Sequence, residues 1–261
     1  MRRIWSCLPA LFVLPLVALA QQPAQPAATR EQMLDHVLKS WEQSMTKLES
    51  FSASCSRATQ DKTFGGVDVY EGTAKFLKSG PGQPSRALLM MADKKDPSKY
   101  VKYLYTGTFL YEYVPATKVL RVHDVPQPKS GQPAIDDSLV SLLFGMKAED
   151  AKKRYQMTWV PDERDNNKYY HYIQILPRIA GDKADFTEAR LALRSTSFLP
   201  AQVWYHQPNG NQTTWDFKDL QVNVPIPVQT FAPPSQLEKG WRLERVQQPA
   251  AQGPAGVTPK K

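Results

Sequence analysis

The chain has 261 residues, 41% of them hydrophobic, with 33 Lys and Arg against 25 Asp and Glu and a formal net charge of +8. This is enough apolar material for one large β-rich domain or two small ones, and after the first 20 residues no segment is apolar enough to span a bilayer. The basic balance suits anionic partners such as phospholipid head groups or nucleic acid, or else a scattered basic surface, since no basic cluster is longer than Lys152-Lys153-Arg154.

The first 20 residues read as a secretion signal: Arg2 and Arg3, an apolar run over 4–17 interrupted by Pro9 and Pro15, and a small-x-small site at Ala18-Leu19-Ala20. Residues 21–29 form a Pro/Ala/Gln-rich linker expected to be disordered. A periplasmic location follows from the leader as an expectation. Its removal takes Cys7 away and leaves Cys55, so no internal disulfide is expected. Cys55 reads as a small buried hydrophobe in the first strand, with a reactive thiol as the alternative.

Thr29 and Gln32 have capping-box spacing, and Met33, Val37, Trp41, Met45 and Leu48 follow at helical intervals. The spacing predicts an amphipathic helix that must lie on an apolar surface. Strands are predicted over 51–59, 67–78, 86–92, 100–105, 109–114 and 119–123, with short turns between them. Such succession argues for an antiparallel meander rather than βαβ units. A Pro/Gly loop over 126–133 interrupts the pattern. Asp136-Asp137-Ser138 caps a short predicted helix over 139–144 that ends at Gly145. A second helix is predicted over 148–154, its acids first and its bases last, as the helix dipole prefers. Strands resume over 155–160 and 169–176.

From Thr187 to Asn223 the alternation is strongest. Ala189, Leu191 and Leu193 form one apolar row, Leu199, Ala201, Val203 and Tyr205 a second, and Thr213, Trp215 and Phe217 a third. Asn209-Gly210 supplies the residues of a tight hairpin turn between the second and third. Residues 247–261 form a Pro/Ala/Gly tail expected to be disordered, which leaves 30–246 as the folded domain.

Little in the chain points to catalysis. His36, His123, His171 and His206 lack metal-ligand spacing, and there is no G-x-S-x-G elbow. Gly65-Gly66 and the Ser79–Gly82 stretch lack the Lys-Ser/Thr of a phosphate loop. The expectation is a binding protein with no cofactor and no metal, not an enzyme. Aromatics crowd several strands, as ordinary sheet packing or as the wall of an apolar pocket.

The segments GTAKFLK (72–78), GTFLYEYVP (107–115), 139–143 and 198–217 with PNGNQTTWDF resemble the LolA-like family of periplasmic lipoprotein carriers and their relatives. The resemblance extends over about residues 30–231, and it looks closer still to exported planctomycete proteins of that fold. It implies a mostly β, α+β architecture: a half-open antiparallel β-barrel covered by the N-terminal helix and a short mid-chain helical insertion. It also implies an apolar cavity that holds acyl chains under a helical lid. The candidate cavity and lid residues are Trp41, Phe76, Met91, Tyr103, Phe109, Tyr111, Tyr113, Leu139, Leu143, Phe144, Trp159 and Trp215. The implied partners are the acyl chains of a lipid or lipoprotein and a membrane-bound donor or acceptor, with no nucleic acid and with a monomeric protein. The chain departs from the carriers after Lys78, where Ser79-Gly80-Pro81 stands in place of the arginine that helps latch the lid. An envelope structural or protein-interaction module with a filled cavity stays open as the alternative.

Overall fold

The computed structural model describes residues 29–78, 80, 84–125, 147–162, 164 and 167–246. Twelve strands form one sheet: β1 (Ser50–Gln60), β2 (Val67–Leu77), β3 (Arg86–Asp93), β4 (Tyr100–Tyr105), β5 (Phe109–Val114), β6 (Val119–Asp124), β7 (Tyr155–Val160), β8 (Tyr170–Pro177), β9 (Glu188–Arg194), β10 (Pro200–His206), β11 (Gln212–Val222) and β12 (Arg242–Val246). Their spatial order is β12-β6-β5-β4-β3-β2-β1-β11-β10-β9-β8-β7, with β12 and β7 as the two edges, so the sheet does not close into a barrel. Every pairing is antiparallel except that of β12 with β6. The expected mostly β fold under a helical cover is what the structure has.

Among the described residues three α-helices accompany the sheet: α1 (Arg30–Thr46), α2 (Ala148–Arg154) and α3 (Ala180–Asp185). α1 starts where its sequence says it should. The Thr29 hydroxyl accepts from the Gln32 amide, and the Gln32 side chain accepts from the Thr29 amide, so two otherwise orphaned donors are satisfied. Its apolar stripe, Leu34, Val37, Leu38 and Trp41, is buried. It packs on Tyr155 of β7, Ile173 and Ile175 of β8, Ala189, Leu191 and Leu193 of β9, and Val203 of β10. These side chains share a face because the register places Ile173 against Leu191, and Leu191 against Val203. This face is called inner below.

A tie that depends on sequence-distant residues anchors the far end of α1. The Asn223 side chain accepts from the Glu49 amide and donates to the Lys47 carbonyl, while its own amide donates to the Ser50 carbonyl. Lys78 adds a second tie, donating to the Thr46 carbonyl and to Glu49 Oε1, both at 3.1 Å. Thus Lys78 itself joins the end of β2 to the end of α1. Its ion pair with Glu49 is solvent-exposed, so it contributes less than about 1 kcal/mol.

The hairpin between β10 and β11 departs in one detail from the sequence expectation. Gly210 has φ +89°, whereas Asn209 is not left-handed. Gln207 donates to the Asn211 carbonyl, and Gly210 donates to the Gln207 carbonyl. A three-residue loop with glycine in the left-handed position therefore replaces the two-residue turn.

Sequence alternation did not reveal β12 or α3. After β11 the chain crosses the outer face, passes a short 3-10 helix (Val228–Phe231) that buries Phe231, and adds β12 beside β6. β12 is exposed along nearly its whole length and has no apolar period to read.

Candidate functional site

The inner face is wider than the helix that covers it. Twelve strands about 4.8 Å apart span roughly 50 Å, against about 10 Å for one helix with its side chains. α1 lies over β7 to β10. Beyond it, β1, β2 and β3 continue the apolar surface with Phe51, Ala53, Cys55, Ala74 and Met91, joined by Leu48 from the end of α1. Tyr70, Phe76, Leu89, Trp215, Phe217 and Leu220 pack around this second cluster and are half-buried. Phe76 stacks on Phe51, and Trp215 on Phe217.

A cavity lies at the seam between the two clusters. It is lined only by apolar residues, among them Met45, Leu48, Phe51, Phe217 and Leu220, and it holds about 30 Å³. That is room for a water or two and not for a hydrocarbon tail. An acyl chain would have to be admitted by a shift of side chains or of α1, or would have to lie against the half-buried side chains around the second cluster.

The candidate residues fall into three groups. Trp41, Phe76, Met91, Tyr103, Trp159 and Trp215 stand on the inner face or on the helix against it. Phe109, Tyr111 and Tyr113 stand on the opposite face, because β5 turns Leu110, Glu112 and Val114 inward. Their partners are the C-terminal segment: Tyr113 meets Trp241, and Phe109 lies under Arg245. Leu139, Leu143 and Phe144 lie outside the described residues, as does the predicted helix over 139–144.

Cys55 lies on the inner face between Gly72 of β2 and Phe217 of β11. Burial raises its thiol pKa to about 11, so it packs as a protonated hydrophobe. Gly72 keeps this spot narrow. A Cβ there would lie 1.9 Å from the Met90 carbonyl oxygen, so β2 and β3 approach as only glycine allows.

Sequence reasoning overlooked a histidine pair at the other end of α1. His171 of β8 stacks on Phe198 with ring centres 5.4 Å apart, and His36 of α1 meets the same ring edge-on at 5.9 Å. Phe198 is held at φ +55°, which is unfavourable for so bulky a residue. Burial, and then the nearby His36, push the His171 pKa below the usual imidazole range. The unfolded chain therefore binds more protons than the folded one as pH falls, and stability must drop in that direction. We expect the melting temperature to decrease between about pH 8 and pH 5, and the slope to flatten in His171→Gln. An unchanged slope in that variant would remove His171 from the account.

The outer face has a larger open groove, about 510 Å³, along β7 to β10, with Tyr172, Ala192 and Trp204 at its floor. Its polar side chains already bond to one another or to their neighbours: Gln174 and Arg190 to Glu188, Gln202 to Asp216, and Arg164 to Asp162. Among the described residues no cluster of three or more His, Cys, Asp or Glu could hold a metal ion. No helix among them is long and apolar enough to cross a membrane.

No family model matches the chain, and no curated protein matches it in sequence. The fold is similar to those of several solved structures. One is a DUF1329 family protein from Desulfovibrio piger (11% identity, TM-score 0.42, 76% of this chain and 97% of that one). Another is a LolA superfamily protein from Nitrosomonas europaea (12% identity, TM-score 0.34, 77% and 97%). A third is MucB in the MucA/MucB complex of Pseudomonas aeruginosa (10% identity, TM-score 0.44, 79% of this chain and 63% of that one). Likeness at this level concerns the course of the chain and assigns neither ligand nor partner.

Proposed function

We propose that the protein is an exported, non-catalytic carrier or sensor that holds the acyl chain of a lipid or lipoprotein on the inner face of its sheet, beside and beneath α1. The observation behind this reading is the mismatch in width: the apolar cluster on β1 to β3, with half-buried Tyr70, Phe76, Leu89, Trp215 and Phe217 at its margin, extends past the only long helix among the described residues. Each methylene such a surface removes from water contributes about 0.8 kcal/mol, so a long chain binds without many polar contacts. The leader over residues 1–20 supports delivery to the periplasm.

Adjacent residues of β3 provide the test. Leu89 points inward and Met90 outward, the latter 47% exposed. Uptake of a fluorescent fatty-acid probe should be abolished in Leu89→Glu and retained in Met90→Glu. Equal uptake by the two variants, or none by the unmodified protein, would sink the reading. Mass spectrometry of organic extracts from gently purified protein then identifies the ligand.

A second reading is supported by the small cavity. With only about 30 Å³ free at the seam, the protein serves as an envelope interaction module whose inner face receives a protein partner. Capture of a defined protein without co-extracted lipid would favour it.

A further inference from the structure

Arg57 is the inner-face residue of β1 that follows Cys55, paired across the sheet with Tyr70 on one side and Trp215 on the other. Its guanidinium carbon lies 4.6 Å from the Tyr70 ring centre and 5.6 Å from that of Trp215. Two aromatic faces thus hold a cation in place and strip part of its water. Its Nε is buried and has no hydrogen-bond partner among the described residues. None of the ion pairs among those residues includes it. Glu112, an acid on the same face, is already occupied by His123 at 2.9 Å and Arg121 at 3.8 Å.

Arg57 also stands at the end of an apolar track. From Ala53 in the wall of the seam cavity to Arg57 is four residues of β1, about 14 Å along the strand. The track between them is made by Cys55, Phe217 and Trp215. An amphiphile lying along it would place its tail toward the cavity and its head at the guanidinium.

We propose that Arg57 is a recognition residue for the anionic head of an acyl ligand, a carboxylate or a phosphate. This rests on the apolar-ligand reading above and specifies the ligand's charge. A planar guanidinium clamped between Tyr70 and Trp215 donates to such a head in a fixed fork, and these charge-assisted bonds are the strong ones. A neutral hydroxyl head accepts at most a single bond there, without the charge assistance or the second prong.

Isothermal titration of the mature chain with dodecanoate, dodecan-1-ol and inorganic phosphate tests the proposal at neutral pH. The unmodified protein should bind dodecanoate about tenfold or more tighter than dodecan-1-ol, and should not bind inorganic phosphate measurably. Arg57→Gln should lose that preference while keeping its affinity for dodecan-1-ol, and Arg57→Lys should keep part of it. Equal affinity of the unmodified protein for the acid and the alcohol overturns the anion site and leaves the apolar face standing. Binding of neither amphiphile overturns both. Binding of inorganic phosphate as tight as that of dodecanoate overturns the amphiphile and makes the site one for a free anion.

Discussion

Asp182→Ala is expected to lower stability by about 3–5 kcal/mol, because it takes the carboxylate away from a charge that stays buried. Asp182 lies in the first turn of α3, and Arg154 closes α2; neither helix has as many as eight residues. Arg154 Nε reaches Asp182 Oδ2 at 2.7 Å, and Nη2 reaches Oδ1 at 2.5 Å, a two-pronged pair with both side chains mostly out of water. Such short helices do not hold themselves together. The pair stitches them to each other and to the β7–β8 edge, where the Arg178 amide also donates to the Arg154 carbonyl. Urea unfolding followed by circular dichroism should show the midpoint falling with little change in slope. Removing the exposed partner of Lys78 by Glu49→Ala should cost less than about 1 kcal/mol in the same assay. Similar losses for the two variants would show that the Arg154–Asp182 pair is effectively solvated.

Trp41→Ala should be comparably damaging, at about 3–5 kcal/mol, and Trp41→Phe far milder, below about 1.5 kcal/mol. Trp41 is the largest side chain of the α1 stripe and is 2% exposed. Alanine there leaves a void between helix and sheet that close packing cannot fill. Phenylalanine keeps most of the ring, and it forfeits no hydrogen bond, since the indole Nε1 is buried with no partner among the described residues. Thermal unfolding of the three proteins separates the two costs. If Trp41→Phe were as damaging as Trp41→Ala, the indole nitrogen would have a partner that the described residues do not show.

The two variants also probe different parts of the molecule. Trp41 belongs to the cluster beneath α1, whereas the proposed ligand face lies on β1 to β3. Fatty-acid uptake that survives in Trp41→Phe but vanishes in Leu89→Glu would place the ligand beside the helix rather than under it.

Much of the fold was legible from local pattern. α1 announced itself through Thr29, Gln32 and the spacing of Val37 and Trp41, because capping and helical period are properties of near neighbours. The strands from β1 to β11 could be read as short β-rich runs bounded by turns, and alternation is cleanest in β9 to β11, where each row of apolar side chains lies two residues apart. β12 was invisible: Arg242, Leu243, Glu244 and Arg245 are exposed, and only the edge of β6 makes them a strand. α3 is six residues held by an ion pair to a residue 28 positions away, so nothing in its own stretch marks it.

The candidate site was less legible than the fold, and β5 shows why. Phe109, Tyr111 and Tyr113 alternate with Leu110, Glu112 and Val114, and both rows carry apolar bulk. Period two says that the rows oppose each other; it does not say which row faces the helix. That choice rests on register through β4, β3 and β2 back to β1, and on the C-terminal segment that covers the outer row with Trp241 and Arg245.

By itself, the amino-acid sequence determined where most of the strands and the first helix form, and that an apolar sheet face needs a cover, since each follows from residues close together in the chain. Only the tertiary structure decided which aromatics share the inner face, that the seam holds about 30 Å³, and that Arg57 sits between the rings of Tyr70 and Trp215. Those outcomes depend on pairings across more than a hundred residues, such as Arg57 with Trp215, and no local pattern encodes the partner of a strand so distant.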